Sequence, residues 1–402
     1  MSNPVTTRPA SFFQAPIWLV GFRPFFTLAF IAGILLPLVW AAFFGGWLPR
    51  PVSGLSPLQW HAHEMLFGFG WAVLGGFLLT ASKNWVNVRG LHGAGLCVAV
   101  LFWLAERVVI LFFPVLSADA SLALRVGSYL LASLFLLYVA GYLMWTLVRY
   151  RRQDSFRDNY FFLLALPLFL LAKLLLLNPS TWSEGSALAL GLFRVAFVVM
   201  FERTITQFMK NSQGLVLLRQ PALDFSIKAL VLLAAFEAFL PAPLAAGLLL
   251  AASALLLLRY CLWQPLAGWS RFDTGTMYAG YLGLVLHLAF EAARVSGLMP
   301  ALGMAATHTF TFLCMGIIIP AMLIRISQGH TGRKILFTRL DRVAIASMGV
   351  GAFFRLLAIR LWPDQYALWI GLAALCWSLC FLLPAMRLIP YLWQARVDGR
   401  IH

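Results

Sequence analysis

Four histidines fall within or beside long apolar runs of the sequence: His61, His63, His287 and His308. The first two belong to the stretch WHAHEMLFGFG at residues 60–70, which opens an apolar run that extends to residue 82. Ionisable side chains inside apolar spans are costly, and they usually face a cavity, a cofactor or one another. Because imidazole is a common axial ligand of haem and also binds copper, these residues predict a haem or metal site.

Acidic and basic side chains occur inside other apolar runs. The acidic ones that we assign to proton transfer, as catalytic groups, are Glu64, Glu106 and Glu291, with Glu237 as a further relay. The propionates of a buried haem need cationic partners, and arginine binds a carboxylate through two hydrogen bonds. The candidates for that role are Arg107, Arg125, Arg194 and Arg294. The adjacent pair Glu106–Arg107, like Glu291 with Arg294, has a second interpretation as an internal ion pair that only orients helices.

The composition identifies the environment of these helices. Of 402 residues, 62% are hydrophobic and 11% are charged, and the mean hydropathy is +0.86. A soluble chain carries about 25% charged residues, and a bilayer is crossed by about 20 apolar residues as a helix. We therefore predict an all-α polytopic membrane protein, a single transmembrane domain over residues 1–402. Its twelve helices are expected at residues 24–47, 62–82, 91–113, 122–148, 158–178, 186–209, 222–240, 243–263, 276–298, 303–326, 342–361 and 366–394.

We interpret the formal net charge of +16 as a consequence of membrane topology and not as a sign of nucleic-acid binding. Basic residues cluster after every second span: Lys83, Arg89, Arg149, Arg151, Arg152, Arg157, Lys210, Arg219, Arg259, Arg271, Arg333, Lys334, Arg339 and Arg342. The opposite loops carry almost none beyond Arg50 and Arg360. By the positive-inside rule, both termini are cytoplasmic, and all four histidines then fall in the outer half of the membrane.

Helical spacing predicts which of these residues share a face. In span nine, Gly280, Gly283, His287, Glu291 and Arg294 recur at intervals of three to four and form one polar or small-residue stripe. In span ten, residues 308, 311 and 315 share a face by the same rule. In span two, residues 61 and 64 do so, whereas residue 63 points elsewhere, because residues two apart do not face each other on a helix.

The depths of the histidines suggest how ligands are divided. His287 and His308 lie on consecutive helices and differ in depth by about 7 Å at 1.5 Å per residue. That offset suits neighbouring centres better than two ligands on opposite faces of one haem. We therefore expect one of them to be an axial haem ligand, while His61 and His63 bind copper or the opposite haem face.

Other residues are interpreted as structural. We interpret the five cysteines as small core residues. Cys376 and Cys380 lie one helical turn apart and are not expected to form a disulfide. His92 and His330 lie at cytoplasmic helix ends, where a capping role is favoured. In RISQGHTGR, at residues 325–333, two glycines are expected to turn the chain sharply out of span ten, with His330 and Arg333 in contact with neighbouring loops.

Several of these stretches together resemble the NnrS family. They are GFRPFF at residues 21–26, WHAHEMLFGFG, RISQGHTGR, and the segments LHLAFEA and THTFTF around His287 and His308. The resemblance runs over nearly the whole chain. It implies a bacterial inner-membrane protein with twelve helices, associated with haem (b-type), copper, nitric oxide metabolism and nitrosative stress. One departure is FERTITQF at residues 201–208, where the family is expected to have a Gly-Arg and Pro-containing stretch.

Three functions are compatible with these observations. The first is a haem and copper redox protein that binds nitric oxide and reduces it to nitrous oxide, with quinol or an external carrier as electron donor. The second is a proton-coupled secondary transporter, because carriers commonly have twelve helices and buried Glu, Arg and His. The third is a sensor or scavenger that binds nitric oxide without turnover. Nucleic acid is not an expected partner.

Overall fold

The computed structural model of the chain describes residues 12–49, 53–112, 121–154 and 159–400. These residues form helices joined by turns and short connections, and they contain no β-strand. Eight helical segments among them are long and apolar enough to cross a membrane, or nine if one bent pair counts as a span. The chain is therefore an all-helical, multi-pass membrane protein, as predicted. Of the basic residues used for topology, Arg157 lies outside the described residues, as does Arg50 in the opposite loops.

Seventeen α-helices build the described part of the fold. The first eight are α1 (Phe22–Phe44), α2 (Pro57–His63), α3 (Trp71–Val86), α4 (Ala94–Phe112), α5 (Leu122–Leu131), α6 (Leu134–Arg149), α7 (Tyr160–Leu177) and α8 (Trp182–Gln213). The others are α9 (Pro221–Ala234), α10 (Ala242–Leu262), α11 (Pro265–Trp269), α12 (Phe272–Val295), α13 (Met304–His308), α14 (Gly316–Gly329), α15 (Arg339–Phe353), α16 (Ile359–Leu361) and α17 (Tyr366–Trp393). Three π-helical stretches, Glu64–Gly70, Thr309–Met315 and Phe354–Ala358, continue α2, α13 and α15.

Each of the twelve predicted spans contains helix, but α7, α9 and α12 fall short of a full span in length or in apolar character. The fourth predicted span, 122–148, is not one straight helix, because α5 and α6 meet at an angle of 63°. A buried carboxylate explains the break: Glu106 Oε1 accepts a hydrogen bond from the backbone N–H of Phe135, 3.1 Å away in the first turn of α6. The seventh span also ends early, at Ala234 instead of residue 240, and a single turn, Glu237–Phe239, follows it.

The first and last helices run antiparallel. Arg23, at the start of α1, donates from Nη1 to the carbonyls of Leu392 at 2.9 Å and Gln394 at 2.7 Å, at the end of α17. We call the half of the bundle that contains these helix ends the terminal half, and the other the distal half. Because successive spans alternate in direction, all four candidate histidines belong to the distal half.

The turn that follows α14 makes the structural contacts expected of it. Gly332 has a φ of +80°, a conformation that glycine adopts without strain. The His330 ring lies 5.4 Å from that of Phe22, and Arg333 donates to Gln394 Oε1 at 2.8 Å. This turn therefore ties span ten to both described ends of the chain. All five cysteines are free, as predicted for the pair at residues 376 and 380.

The small-residue stripe of α12 packs against span ten, as its spacing predicted. A Cβ atom placed on Gly283 would lie 2.5 Å from the backbone carbonyl of Leu313, and one on Gly280 would lie 2.3 Å from Ile318. The two helices can approach this closely only because those positions lack side chains. The close approach places His287, one turn further along α12, directly against the start of span ten.

The segment FERTITQF lies in the terminal half and supplies ion pairs between helices. Glu202 on α8 pairs with Arg219 and lies 3.6 Å from Arg259 on α10. Arg259 and Arg219 also contact Asp224 of α9, at 3.1 Å and 2.9 Å. Three helices, α8, α9 and α10, are thus held together by carboxylates and guanidinium groups that lie away from the candidate histidines.

Candidate functional site

Three π-helical stretches lie in the distal half, and each begins beside a candidate or charged residue. Glu64–Gly70 follows His63, Thr309–Met315 follows His308, and Phe354–Ala358 contains Arg355. No other π-helix occurs in the described ranges. Such stretches are rare and are found frequently at functional sites. Their wider turns leave backbone groups available to other helices, and the carbonyl of Gly68 accepts from Trp103 Nε1 at 3.1 Å.

Arg355 lies within electrostatic range of two of the four histidines. Its guanidinium interacts with both His61 and His308, and those two imidazoles also interact with each other. The His61 ring stacks on Trp40 of α1 with ring centroids 4.5 Å apart. Arg355 also interacts with the phenol of Tyr366 at the start of α17. Spans two, ten and eleven therefore place two imidazoles and one guanidinium within electrostatic range of one another, and we call these three residues the His61–His308 site.

His287 is fully buried and held by a backbone carbonyl. Its Nδ1 lies 2.7 Å from the carbonyl oxygen of Ala306, and its ring lies 5.1 Å from that of Phe310. A carbonyl oxygen can only accept, so Nδ1 carries the proton and Nε2 holds a lone pair. That Nε2 is buried and has no hydrogen-bond partner.

A buried chain of charged side chains begins at His63. Its Nδ1 lies 2.9 Å from one oxygen of Glu64, and the other oxygen of Glu64 is 3.0 Å from Arg107 Nε. Arg107 contacts Glu106 at 3.0 Å, and Glu106 contacts Lys173 at 2.9 Å. Two carboxylates and two cations balance, so this network, which joins three spans, carries no net charge apart from the imidazole.

Two further ion pairs lie near His287. Arg194 on α8 makes two parallel hydrogen bonds, of 2.8 Å and 3.0 Å, to the carboxylate of Glu237. Arg294 contacts one oxygen of Glu291 at 2.5 Å, while Oε2 of Glu291 is buried without a hydrogen-bond partner. The bidentate geometry of the first pair is the strong form of this interaction. It anchors the turn that follows α9 to α8.

Three of the four arginines predicted to bind haem propionates already pair with carboxylates, and the fourth is exposed. Arg107, Arg194 and Arg294 each pair with a carboxylate. Arg125 is exposed on α5, and its place in the site stays a prediction. The sequence reasoning did not select Lys173, which pairs with Glu106, or Arg355, which belongs to the His61–His308 site. The signal was present in the sequence, because each is a lone cation inside a long apolar run, and such residues rarely lack a function.

Two expectations about shared faces are wrong. Glu64 bonds to His63 rather than sharing a face with His61, because the ion pair with Arg107 draws its carboxylate towards α4. In span ten, α-helical spacing does not apply to residues 308, 311 and 315, because residues 309–315 form π-helix. His61 and His63 accordingly have different neighbours: Trp40 for the first and the charged network for the second.

The histidines have the hydrogen bonding of metal ligands. A ligating histidine usually donates its other ring N–H to a carboxylate or backbone carbonyl, which fixes the ring orientation. His63 does so to Glu64, His287 to Ala306, and His308 to the carbonyl of Met304 at 2.8 Å. In each case Nε2 is the ring nitrogen that does not make this bond. Within the described ranges, no group of three or more His, Cys, Asp or Glu side chains is arranged to hold a metal ion.

A family model described as "NnrS protein" matches residues 16–396, nearly the whole chain. No curated protein matches the sequence.

Proposed function

This chain belongs to the NnrS family, membrane proteins tied to the response to nitric oxide, and on that premise we propose that it binds nitric oxide at a haem in the distal half. The observation that carries the proposal is the His61–His308 site, in which two imidazoles and an arginine from different spans lie within electrostatic range of one another and the His61 ring is stacked on Trp40. We further propose twelve membrane crossings, cytoplasmic termini and residence in the bacterial inner membrane. The distal half is then the outer half.

We propose that His308 would hold the haem. Its Nδ1 donates to Met304, so its Nε2 is the nitrogen that does not make this bond, and the ring is oriented by it. His61 is held by stacking on Trp40, and its buried Nδ1 has no hydrogen-bond partner. We propose that His61 would face the same haem. A haem, of b-type in this proposal, would supply an iron that binds nitric oxide.

Arg355 is the cation best suited to a haem propionate. It interacts with the neutral phenol of Tyr366, whereas Arg107, Arg194 and Arg294 each already pair with a carboxylate. Recruiting any of those three would leave a buried carboxylate uncompensated, at a cost of several kcal/mol. Arg355 incurs no such cost.

Copper is assigned to the histidines that remain. His63 and His287 each have a buried ring nitrogen without a hydrogen-bond partner. Imidazole nitrogen is a suitable ligand for copper. The two lie in different surroundings, so a copper ion bound by one of them would draw its other ligands from that residue's own neighbours.

Reduction of nitric oxide to nitrous oxide would consume two electrons and two protons for each pair of molecules and release one water. Of the three predicted catalytic carboxylates, Glu64 and Glu106 are held in ion pairs through both oxygens. Glu291 alone has an oxygen without a hydrogen-bond partner, so we assign proton delivery to it. Quinol or an external carrier is the proposed electron source.

Absorbance of the purified protein tests the proposal. We expect a Soret band that shifts on addition of nitric oxide, is lost in His308→Ala, and is unchanged in His92→Ala, where an exposed ring contacts only the carbonyl of Gly90. Nitrous oxide formed with a reductant separates an enzyme from a scavenger. A protein that lacks haem and copper after expression with both supplied would contradict the proposal and favour the proton-coupled transporter.

A further inference from the structure

A partly open apolar cavity of about 120 Å³ lies between spans one, two, five, six and ten. Gly70, Phe193 and Phe197 line it at mid-depth, and Trp85, Phe162 and Ile326 line it near the terminal end. The cavity therefore extends from the middle of the bundle towards the terminal half.

The mid-depth wall of the cavity adjoins His287. Phe197 lines the cavity and contacts Phe310, with ring centroids 5.7 Å apart, and Phe310 lies 5.1 Å from the ring of His287. Two aromatic rings therefore separate the cavity from that histidine. On the opposite side, Gly70 ends the π-helical stretch that begins at Glu64. A Cβ there would lie 2.8 Å from Phe193, so the absent side chain keeps this wall thin.

The polar groups of the lining are engaged with protein atoms. Arg203 donates to Asn159 at 3.1 Å and lies over the ring of Trp85, and the hydroxyl of Thr204 donates to the carbonyl of Met200 at 2.8 Å. Both lie on α8, near its terminal end. A charged or strongly polar ligand would have to displace these contacts, whereas an apolar one would not.

The size and lining of the cavity define its ligand class. An engineered apolar cavity of about 150 Å³ stays dry and binds benzene or xenon. We propose that this cavity binds small apolar gas molecules and holds them beside His287. Nitric oxide belongs to that class, so the inference deepens the proposed function and rests on it for the identity of the natural gas. The binding of a gas as such does not depend on haem.

Xenon tests the inference directly. Crystals of the full chain pressurised with xenon should show an anomalous peak inside the cavity. Ala196→Phe, which places a ring in the cavity from α8, should abolish the peak, and the smaller change Ala196→Leu should weaken it if the phenylalanine variant does not fold. Ala187→Phe is the matched control, because Ala187 is also half-buried on α8 but does not line the cavity.

The outcomes separate this inference from the proposed function. A xenon peak in a protein without haem supports the cavity and contradicts the haem proposal. A haem-containing protein whose cavity shows no xenon, or is filled by a copurified lipid chain, overturns the gas cavity and leaves the haem proposal standing. Retention of the peak in Ala196→Phe would also overturn it.

Discussion

The Nδ1 atom of His287 lies 2.7 Å from the carbonyl oxygen of Ala306, so span nine is bonded to span ten at the depth of the candidate site. The bond has two consequences. It fixes the orientation of the His287 ring. It also uses the carbonyl of Ala306, two residues before α13 ends and the π-helical stretch Thr309–Met315 begins. Helix packing and imidazole orientation are therefore coupled at this point.

Gly283→Ala should break that coupling. The new Cβ would lie 2.5 Å from the backbone carbonyl of Leu313, which cannot move aside as a side chain can. We expect a loss of about 1–3 kcal/mol, typical of overpacking, measured as a lowered midpoint of thermal unfolding in detergent. Gly247→Ala on α10 is the control, because nothing lies within 4 Å of its added Cβ. Equal midpoints for the two variants would contradict the close approach.

Arg355→Leu should weaken haem binding without unfolding the protein. A hydrogen bond to a charged group contributes about 1.5–3 kcal/mol, which corresponds to a loss of about ten-fold or more in affinity. Titration of haem into the apoprotein, followed at the Soret band, measures it. Arg125→Leu, on an exposed part of α5, should bind haem normally. If Arg125→Leu is the weaker binder, the assignment of the propionate to Arg355 is wrong.

Lys173→Met should destabilise the bundle. The substitution keeps the apolar length of the side chain but leaves Glu106, which is fully buried, with one cation fewer. Removing one partner of a buried pair costs on the order of 3 kcal/mol. Lys210→Met, at an exposed position, should change the unfolding midpoint little, within about 0.5 kcal/mol. Adding Glu106→Gln to Lys173→Met should recover part of the lost stability. A double variant no more stable than Lys173→Met alone would argue against the pairing of Lys173 with Glu106.

His330→Ala should lower the yield of protein and leave any haem spectrum unchanged. The ring contacts Phe22, and the backbone carbonyl accepts from Arg396 at 2.7 Å, so the residue holds the two described ends of the chain together. Yield in membranes and the Soret absorbance per mole of protein are the two measurements. Selective loss of the Soret band at normal yield would place His330 among the ligands.

Ala196→Phe should slow the association of nitric oxide with the haem severalfold, because it fills the space next to the Phe197–Phe310 wall. Flash photolysis of the nitric oxide complex gives the rate, and the Soret position before photolysis shows that the site itself is intact. Ala187→Phe should rebind at the normal rate. Identical rates in both variants would mean that nitric oxide arrives by another route.

The sequence predicted the general architecture better than the details of the site. Apolar windows located helices in all twelve expected segments, and the spacing of Gly280, Gly283 and His287 identified the face of α12 that meets span ten. Both patterns are local, so periodicity is sufficient to read them.

The structural features that the sequence did not predict depend on contacts between distant segments. The bend between α5 and α6 follows from Glu106, which comes from another helix, and Glu64 turns to His63 because Arg107 attracts it. Lys173 and Arg355 lie alone in apolar runs, where only the fold shows which partners reach them. The π-helical stretches shift every later residue by about one position, and no period in the sequence signals where they begin.

The π-helical stretches also determine how this fold responds to the insertion or deletion of single residues. A π-helical turn holds about one residue more than an α-helical turn, so deleting one residue between Thr309 and Met315 would restore regular winding. The helix that follows would keep its orientation, because the extra residue is accommodated within the π-helical turn, and only the backbone next to His308 would change. A single codon gained or lost there would thus alter the surroundings of His308 and leave the packing of the remaining helix unchanged, so lineages could acquire or abandon the chemistry without redesigning the bundle.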